Sequence, residues 1–134
     1  MQEFTIGSLA RQANVNIETI RFYERKGLMP NPQRTPAGFR VYSQKDLQRL
    51  NFILMAKKHG FTLKEIKELL DLRVNPDSTC DDVRKKAEIK IKLIEQKLQE
   101  LRRMKKALKT LMASCHGSNP AGECPILEAF EHHK

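Results

Sequence analysis

The chain is sparing in several things. It has three cysteines in 134 residues, an odd number that argues against a closed disulfide framework. No apolar run approaches the length of a bilayer span, so no membrane segment is expected. The opening stretch, "MQEFTIGSLARQANV", lacks a basic region followed by an apolar one and does not read as a secretory signal. Cytoplasmic residence, with thiols kept reduced, is the resulting expectation. No Ser/His/Asp arrangement, phosphate-cradling glycine loop or paired-carboxylate site is readable, which sets enzymes aside. Acidic side chains are the minority charge: 16 Asp and Glu against 25 Lys and Arg leave a net charge of +9. That surplus suits an anionic partner, nucleic acid being the commonest, although a merely solvated basic protein has the same composition. What is present is apolar residue enough, 40% of the chain, for one compact unit or two small ones to bury a core.

Ile6 to Ala13 reads as a short helix with Thr5 as N-cap. "NVN" at 14–16 is a tight polar turn, and "IETIRFYERKG" at 17–27 is a second helix closed by Gly27. Ile17, Ile20 and Leu28 can face a core with Leu9 and Ala13, leaving Arg21, Arg25 and Lys26 outside. Two short helices across such a turn form the helix-turn-helix pattern, whose second helix reads a major groove. The next segment, "LMPNPQRTPAGFRVYS" at 28–43, is too rich in proline for a helix. Its "FRVY" alternates, with Phe39 and Val41 pointing one way and Arg40 and Tyr42 the other. This predicts a small β-ribbon, or wing, that places Arg40 and Tyr42 on phosphates.

"SQKDLQRLNFILMAKKHG" at 43–60 predicts a helix capped by Ser43, with Leu47, Leu50, Ile53, Leu54 and Met55 buried. "TLKEIKELLDL" at 62–72 opens on a Thr62–Glu65 capping box and carries an apolar stripe of Leu63, Ile66, Leu69 and Leu70. Residues 1–72 are thus expected to form a winged helix-turn-helix domain, with 73–80 a linker around Pro76. From 81 to 114 there is neither glycine nor proline. Ala87, Ile91, Ile94, Leu98, Leu101, Leu108 and Met112 step by fours and threes, with Lys105 in the one seam position that is not apolar. Such a helix, roughly 50 Å long at 1.5 Å per residue, outreaches a small domain and needs a partner, most simply its own copy in a homodimer.

Cys80 precedes this helix and Cys115 follows it, too far apart for one chain to share a metal between them. An antiparallel pair of helices would bring Cys80 of one chain to Cys115 and Cys124 of the other. The loop between the last two holds Gly117, Pro120 and Gly122 and can fold back tightly. Three soft thiolates suit a trigonal site for Hg(II) or Pb(II), whereas Zn(II) prefers a fourth ligand, for which His116 is nearest. Three unrelated free cysteines remain the alternative. His132 and His133 read as a solvated tail with metal-binding capacity.

These residues resemble the MerR family of transcriptional regulators. "TIGSLARQANVNIETIRFYERKGLM" is similar to that family's helix-turn-helix, "RTPAGFRVYSQKDLQRLNFI" to its wing and following helix, and "HGFTLKEIKELL" to the next helix. The likeness runs over essentially the whole chain. "CHGSNPAGECPIL" resembles the metal-sensing branch, and Cys80, Cys115 and Cys124 match the three thiolates of its mercury sensors. Lead sensors also use three cysteines. Zinc sensors add a cysteine where Ser114 stands here and a loop histidine, where Asn119 is found. The resemblance implies a mainly α fold, a winged helix-turn-helix followed by a long antiparallel coiled-coil helix, with 115–134 as metal-binding loop and tail. It implies a homodimer on palindromic double-stranded promoter DNA, shared with RNA polymerase. The apo form represses. The effector, Hg(II) with Pb(II), Cd(II) or Zn(II) as alternatives, makes the dimer bend and untwist the promoter. Arg21 and Tyr23 on the second helix, and Arg40 and Tyr42 on the wing, are the implied DNA contacts, with a core position the alternative for Tyr23. A thiol-based redox sensor is the rival from another class.

Overall fold

The computed structural model describes residues 3–118 and 120–132. Asn119 and His133, both weighed in the sequence, lie outside them. By contacts the chain divides into two units, Met1–Lys85 and Lys86–Lys134.

The first unit opens with strand β1 (Glu3–Phe4), then α1 (Ile6–Ala13) and α2 (Ile17–Arg25). Thr5 caps α1 by accepting from the Ser8 amide, and Asn16 caps α2 by accepting from the Thr19 amide at 2.9 Å. Between the helices Asn14 takes a left-handed backbone, φ 57°, and its N–H closes on the carbonyls of Ala10 and Arg11. Asparagine tolerates this conformation better than most residues. Gly27 follows α2 at φ 77°, where the left-handed geometry that ends a helix favours glycine.

Strands β2 (Gln33–Arg34) and β3 (Arg40–Ser43) form the wing. β3 is central: β1 pairs with it on one side, Phe4 opposite Tyr42, and β2 on the other, Gln33 opposite Val41. The connecting loop turns at Gly38, φ 90°, and is closed by Thr35 N–H to the Phe39 carbonyl at 2.8 Å. Then come α3 (Gln44–Lys58) and α4 (Leu63–Val74). Both begin with full capping boxes, Ser43 with Asp46 and Thr62 with Glu65.

A single apolar cluster holds this unit together. Leu9 of α1, Ile20 and Tyr23 of α2, Leu28 and Met29 after it, Tyr42 of the wing, Leu50 and Ile53 of α3 and Ile66 of α4 are all essentially excluded from solvent. The helix stripes supply most of these residues, as amphipathic spacing requires. Met55 departs from expectation. It is 55% exposed, because it lies on the face of α3 turned away from that cluster.

Helix α5 (Cys80–Ala113) runs unbroken for 34 residues and has no buried side chain. In the second unit it leads to a 3-10 turn (Ala121–Glu123) and a short α6 (Pro125–Glu131) with proline at its first turn. No helix among the described residues is long and apolar enough to cross a membrane. Leu50 is fully buried at the centre of the first unit. Leu50→Ala is expected to cost about 2–5 kcal/mol of its stability, measured by urea unfolding.

Candidate nucleic-acid interface and metal centre

The two helices of the helix-turn-helix present a cationic outer side. Arg21 is exposed on α2 and hydrogen-bonds the Glu18 carboxylate one turn earlier at 3.1 Å. Arg25 and Lys26 are also exposed, and the Lys26 ammonium sits 5.6 Å from the centroid of the Phe22 ring. On the wing Arg34 reaches the Gly38 carbonyl at 2.9 Å, which stiffens the loop that carries exposed Phe39.

Tyr42, expected on the outer surface, is in the core, and Tyr23 takes the core position that was its alternative. Tyr23 is 3% exposed and packs beside Phe22, ring centroids 5.7 Å apart. Tyr42 is 1% exposed. As alternation requires, Arg40 and Tyr42 share a face of β3, but it is the inner one. That face packs against α1 and α3, which close over it and bury Tyr42. That correction removes Tyr42 as a phosphate donor, since its hydroxyl donates to the Glu24 carboxylate at 2.9 Å. The other oxygen of Glu24 accepts from Arg40 Nη1 at 3.2 Å. Arg40 keeps the rest of its five N–H donors and a side chain 35% exposed.

Glu24 therefore fastens the second helix of the motif to the wing, a role missed in reading the sequence. Its one visible signal is an acid amid the cations of "RFYERK". Burial, the hydrogen bond to Glu24 and that carboxylate's charge together push the Tyr42 hydroxyl up to about 12, and Arg40 opposes them. Burial also raises Tyr23.

The three cysteines are reduced. Cys80 and Cys115 are exposed and Cys124 is half-buried. Cys80 is the first residue of α5. At the other end the Cys115 amide closes on the Met112 carbonyl, and the Gly117 N–H, at φ 84°, donates to Cys115 Sγ at 3.3 Å. Cys124 ends the 3-10 turn and caps α6. His116 and His132 are exposed. Among the described residues of one chain, no three His, Cys, Asp or Glu side chains are gathered so as to hold a metal ion. The apolar line of α5 is open to solvent along its length, from Ile91 at 53% through Leu101 at 59% to Met112 at 66% exposed.

A helix-turn-helix with a β-wing fastened to its second helix, and a cationic outer side, defines a DNA-binding regulator. Residues 4–72 match the family described as "MerR HTH family regulatory protein", and 47–111 match "MerR, DNA binding". The chain belongs to the MerR family: it is a transcriptional regulator and not an enzyme. It is 42% identical to a mercuric resistance operon regulatory protein of Bacillus cereus, over 96% of this chain and 97% of that one. Among solved structures it is similar to the transcription regulator PbrR691 of Ralstonia metallidurans CH34 in complex with lead(II), with TM-score 0.84 and 37% identity over 95% and 98% of the two chains. MerR from Bacillus megaterium MB1 in complex with mercury(II) aligns with TM-score 0.73 and 36% identity over 96% and 99%.

The Tyr42 proton is held more tightly in the folded chain than in the unfolded one, where the hydroxyl titrates near 10.0. Its contribution to stability is therefore complete below pH 10 and is lost as pH rises towards about 12. Tyr42→Phe is expected to cost about 1 kcal/mol at neutral pH and to flatten the alkaline fall in unfolding free energy, leaving the part due to Tyr23.

Proposed function

We propose that this protein is a mercury(II)-responsive regulator that silences a metal-resistance promoter in its apo form and activates it when Hg(II) is bound by Cys80 of one subunit and Cys115 and Cys124 of its partner. The observation that carries the reading is the disposition of donors on α5. One thiol starts the helix, two follow its end, and among the described residues of one chain the apolar line between them is exposed to solvent. Burying Ile91, Ile94, Leu98, Leu101, Leu108 and Met112 stabilises a dimer by on the order of 10 kcal/mol per chain before association costs.

The spacing of that line also selects a register. If Leu98 lies opposite the partner's Leu101, antiparallel, then Ile91 meets Leu108, Ala87 meets Met112 and Ile94 meets Lys105. Every seam position is matched, and Cys80 lies just past the end of the partner's helix, on the side where the partner's 115–124 loop begins. Three thiolates with a backbone N–H on one sulfur fit a soft, three-coordinate ion. Bound Hg(II) would link the subunits through sulfur. The chain's own part is to hold the thiols reduced, oriented and accessible at the two ends of a stiff helix.

On the DNA side, residues 1–72 act as the binding domain, with Arg21 and Arg40 on the phosphates or base edges of a palindromic promoter element. Metal binding favours one arrangement of the dimer over another, and the paired domains then bend and untwist the DNA so that RNA polymerase can engage. Lead(II) is the second reading, favoured by the likeness to the lead-bound regulator and by the same three-sulfur set.

A competition titration of reduced dimer with Hg(II), Pb(II), Cd(II) and Zn(II) tests the metal, read by thiolate charge-transfer absorption and by transcription in vitro. Hg(II) is expected to activate at the lowest free concentration, and Cys80→Ser to abolish the response. Activation by Pb(II) at lower concentration reassigns the ion, and a retained response in Cys80→Ser points to oxidation of a loop thiol instead. Mixed dimers of Cys80→Ser with Cys115→Ser should keep one working site. Arg21→Ala and Arg40→Ala should each lower the salt slope of DNA binding by about 1, and an unchanged slope removes that residue from the interface.

A further inference from the structure

Beside the apolar seam, one line of α5 carries its charges in order. Taking every seventh residue, it reads Asp81, Glu88, Glu95, Arg102, Lys109. Residues seven apart lie on one helix face, and the last four each directly follow a seam position: Ala87, Ile94, Leu101 and Leu108. All five are exposed. Acids fill the first half of the line and bases the second. The sign changes between Glu95 and Arg102, around Gln99, which is also the centre of the seam register derived above.

We propose that this line is an ionic ladder that sets the orientation and register of the α5 pair, with Glu95 facing the partner's Arg102 and Glu88 facing the partner's Lys109. The proposal rests on the reading that α5 pairs with a second copy of the chain, and it names the residues that choose how. In an antiparallel pair this flank meets its own copy running the other way, so acid meets base, and twofold symmetry makes each contact twice. The alternatives are penalised. A slip of one heptad in one direction sets Arg102 against its own copy. In the other direction it sets Glu95 against its own copy. A parallel, in-register pair places Lys105 against Lys105 inside the seam. Like charges at such positions select against the wrong pairing.

Register matters because a one-heptad slip displaces one helix by about 10 Å along the other. That would shift Cys80 by the same distance relative to the pair of loop thiols. Glu95 and Arg102 are thus positioning residues for the proposed metal centre, which they do not touch.

The test uses the full, reduced, metal-free chain, so it reads assembly without regard to which ion is sensed. The dimer dissociation constant is taken from the concentration dependence of urea unfolding for E95R, R102E and the double variant E95R/R102E. Each single change should weaken the dimer about tenfold or more, because two like-charge contacts replace two attractive ones. The double variant should recover to within about threefold of the unaltered chain. Differently tagged double-variant and unaltered chains should form their own dimers and not mixed ones, since a mixed pair faces like charges. Unaltered dimerisation of R102E, failure of the double variant to recover, or free mixing overturns the ladder. In each of those cases the three-cysteine reading is still decided separately by the metal titration.

Discussion

A long single helix cannot bury its own apolar side. In this chain α5 displays a line of Ile, Leu and Met to water, interrupted at Lys105, and none of its side chains is buried. Burial of apolar surface is the dominant favourable contribution to folding, so the helix needs a second copy of itself before it can be a stable element. The proposed chemistry of the molecule follows from that requirement. In the proposed reading, thiols at opposite ends of a 34-residue rod meet only when two rods lie head to tail.

The first unit solves the opposite problem, with a small core made from elements that are each too short to stand alone. Eight- and nine-residue helices lie below the length at which isolated helices persist. Side-chain caps at Thr5, Asn16, Ser43 and Thr62 satisfy amides that would otherwise be left open, and the core does the rest. The Glu24 carboxylate is the polar counterpart of that core. It accepts one hydrogen bond from a buried phenol and one from a half-exposed guanidinium, and it joins two elements that the sequence separates by a proline-rich loop.

Much of this was legible in the chain's own pattern. Helices with periodic stripes and side-chain caps fall where Ser43 to Gly60 and Thr62 onward predict them, because both signals are local. The placing of Cys80 and Cys115 at the two ends of the long helix was legible too, since a run free of glycine and proline stands out in any reading. The facing of the wing was not. Alternation pairs Arg40 with Tyr42 but cannot say which side of the ribbon is inner. That depends on which face α1 and α3 pack against, a tertiary contact that local alternation does not encode. Glu24 was missed for a related reason: a carboxylate on a basic helix reads as solvated unless its partners, 16 and 18 residues onward, are known to fold back over it.

Fastening the wing to the second helix has a mechanical consequence. Glu24 ties the second helix to the wing, so a change in how one of them meets DNA is passed to the other. If a promoter is strained by this protein, the strain follows the separation and tilt of two such units, and the lever that sets them is the pair of long helices whose ends carry the thiols. A small ion at the end of a lever can then do work on a double helix.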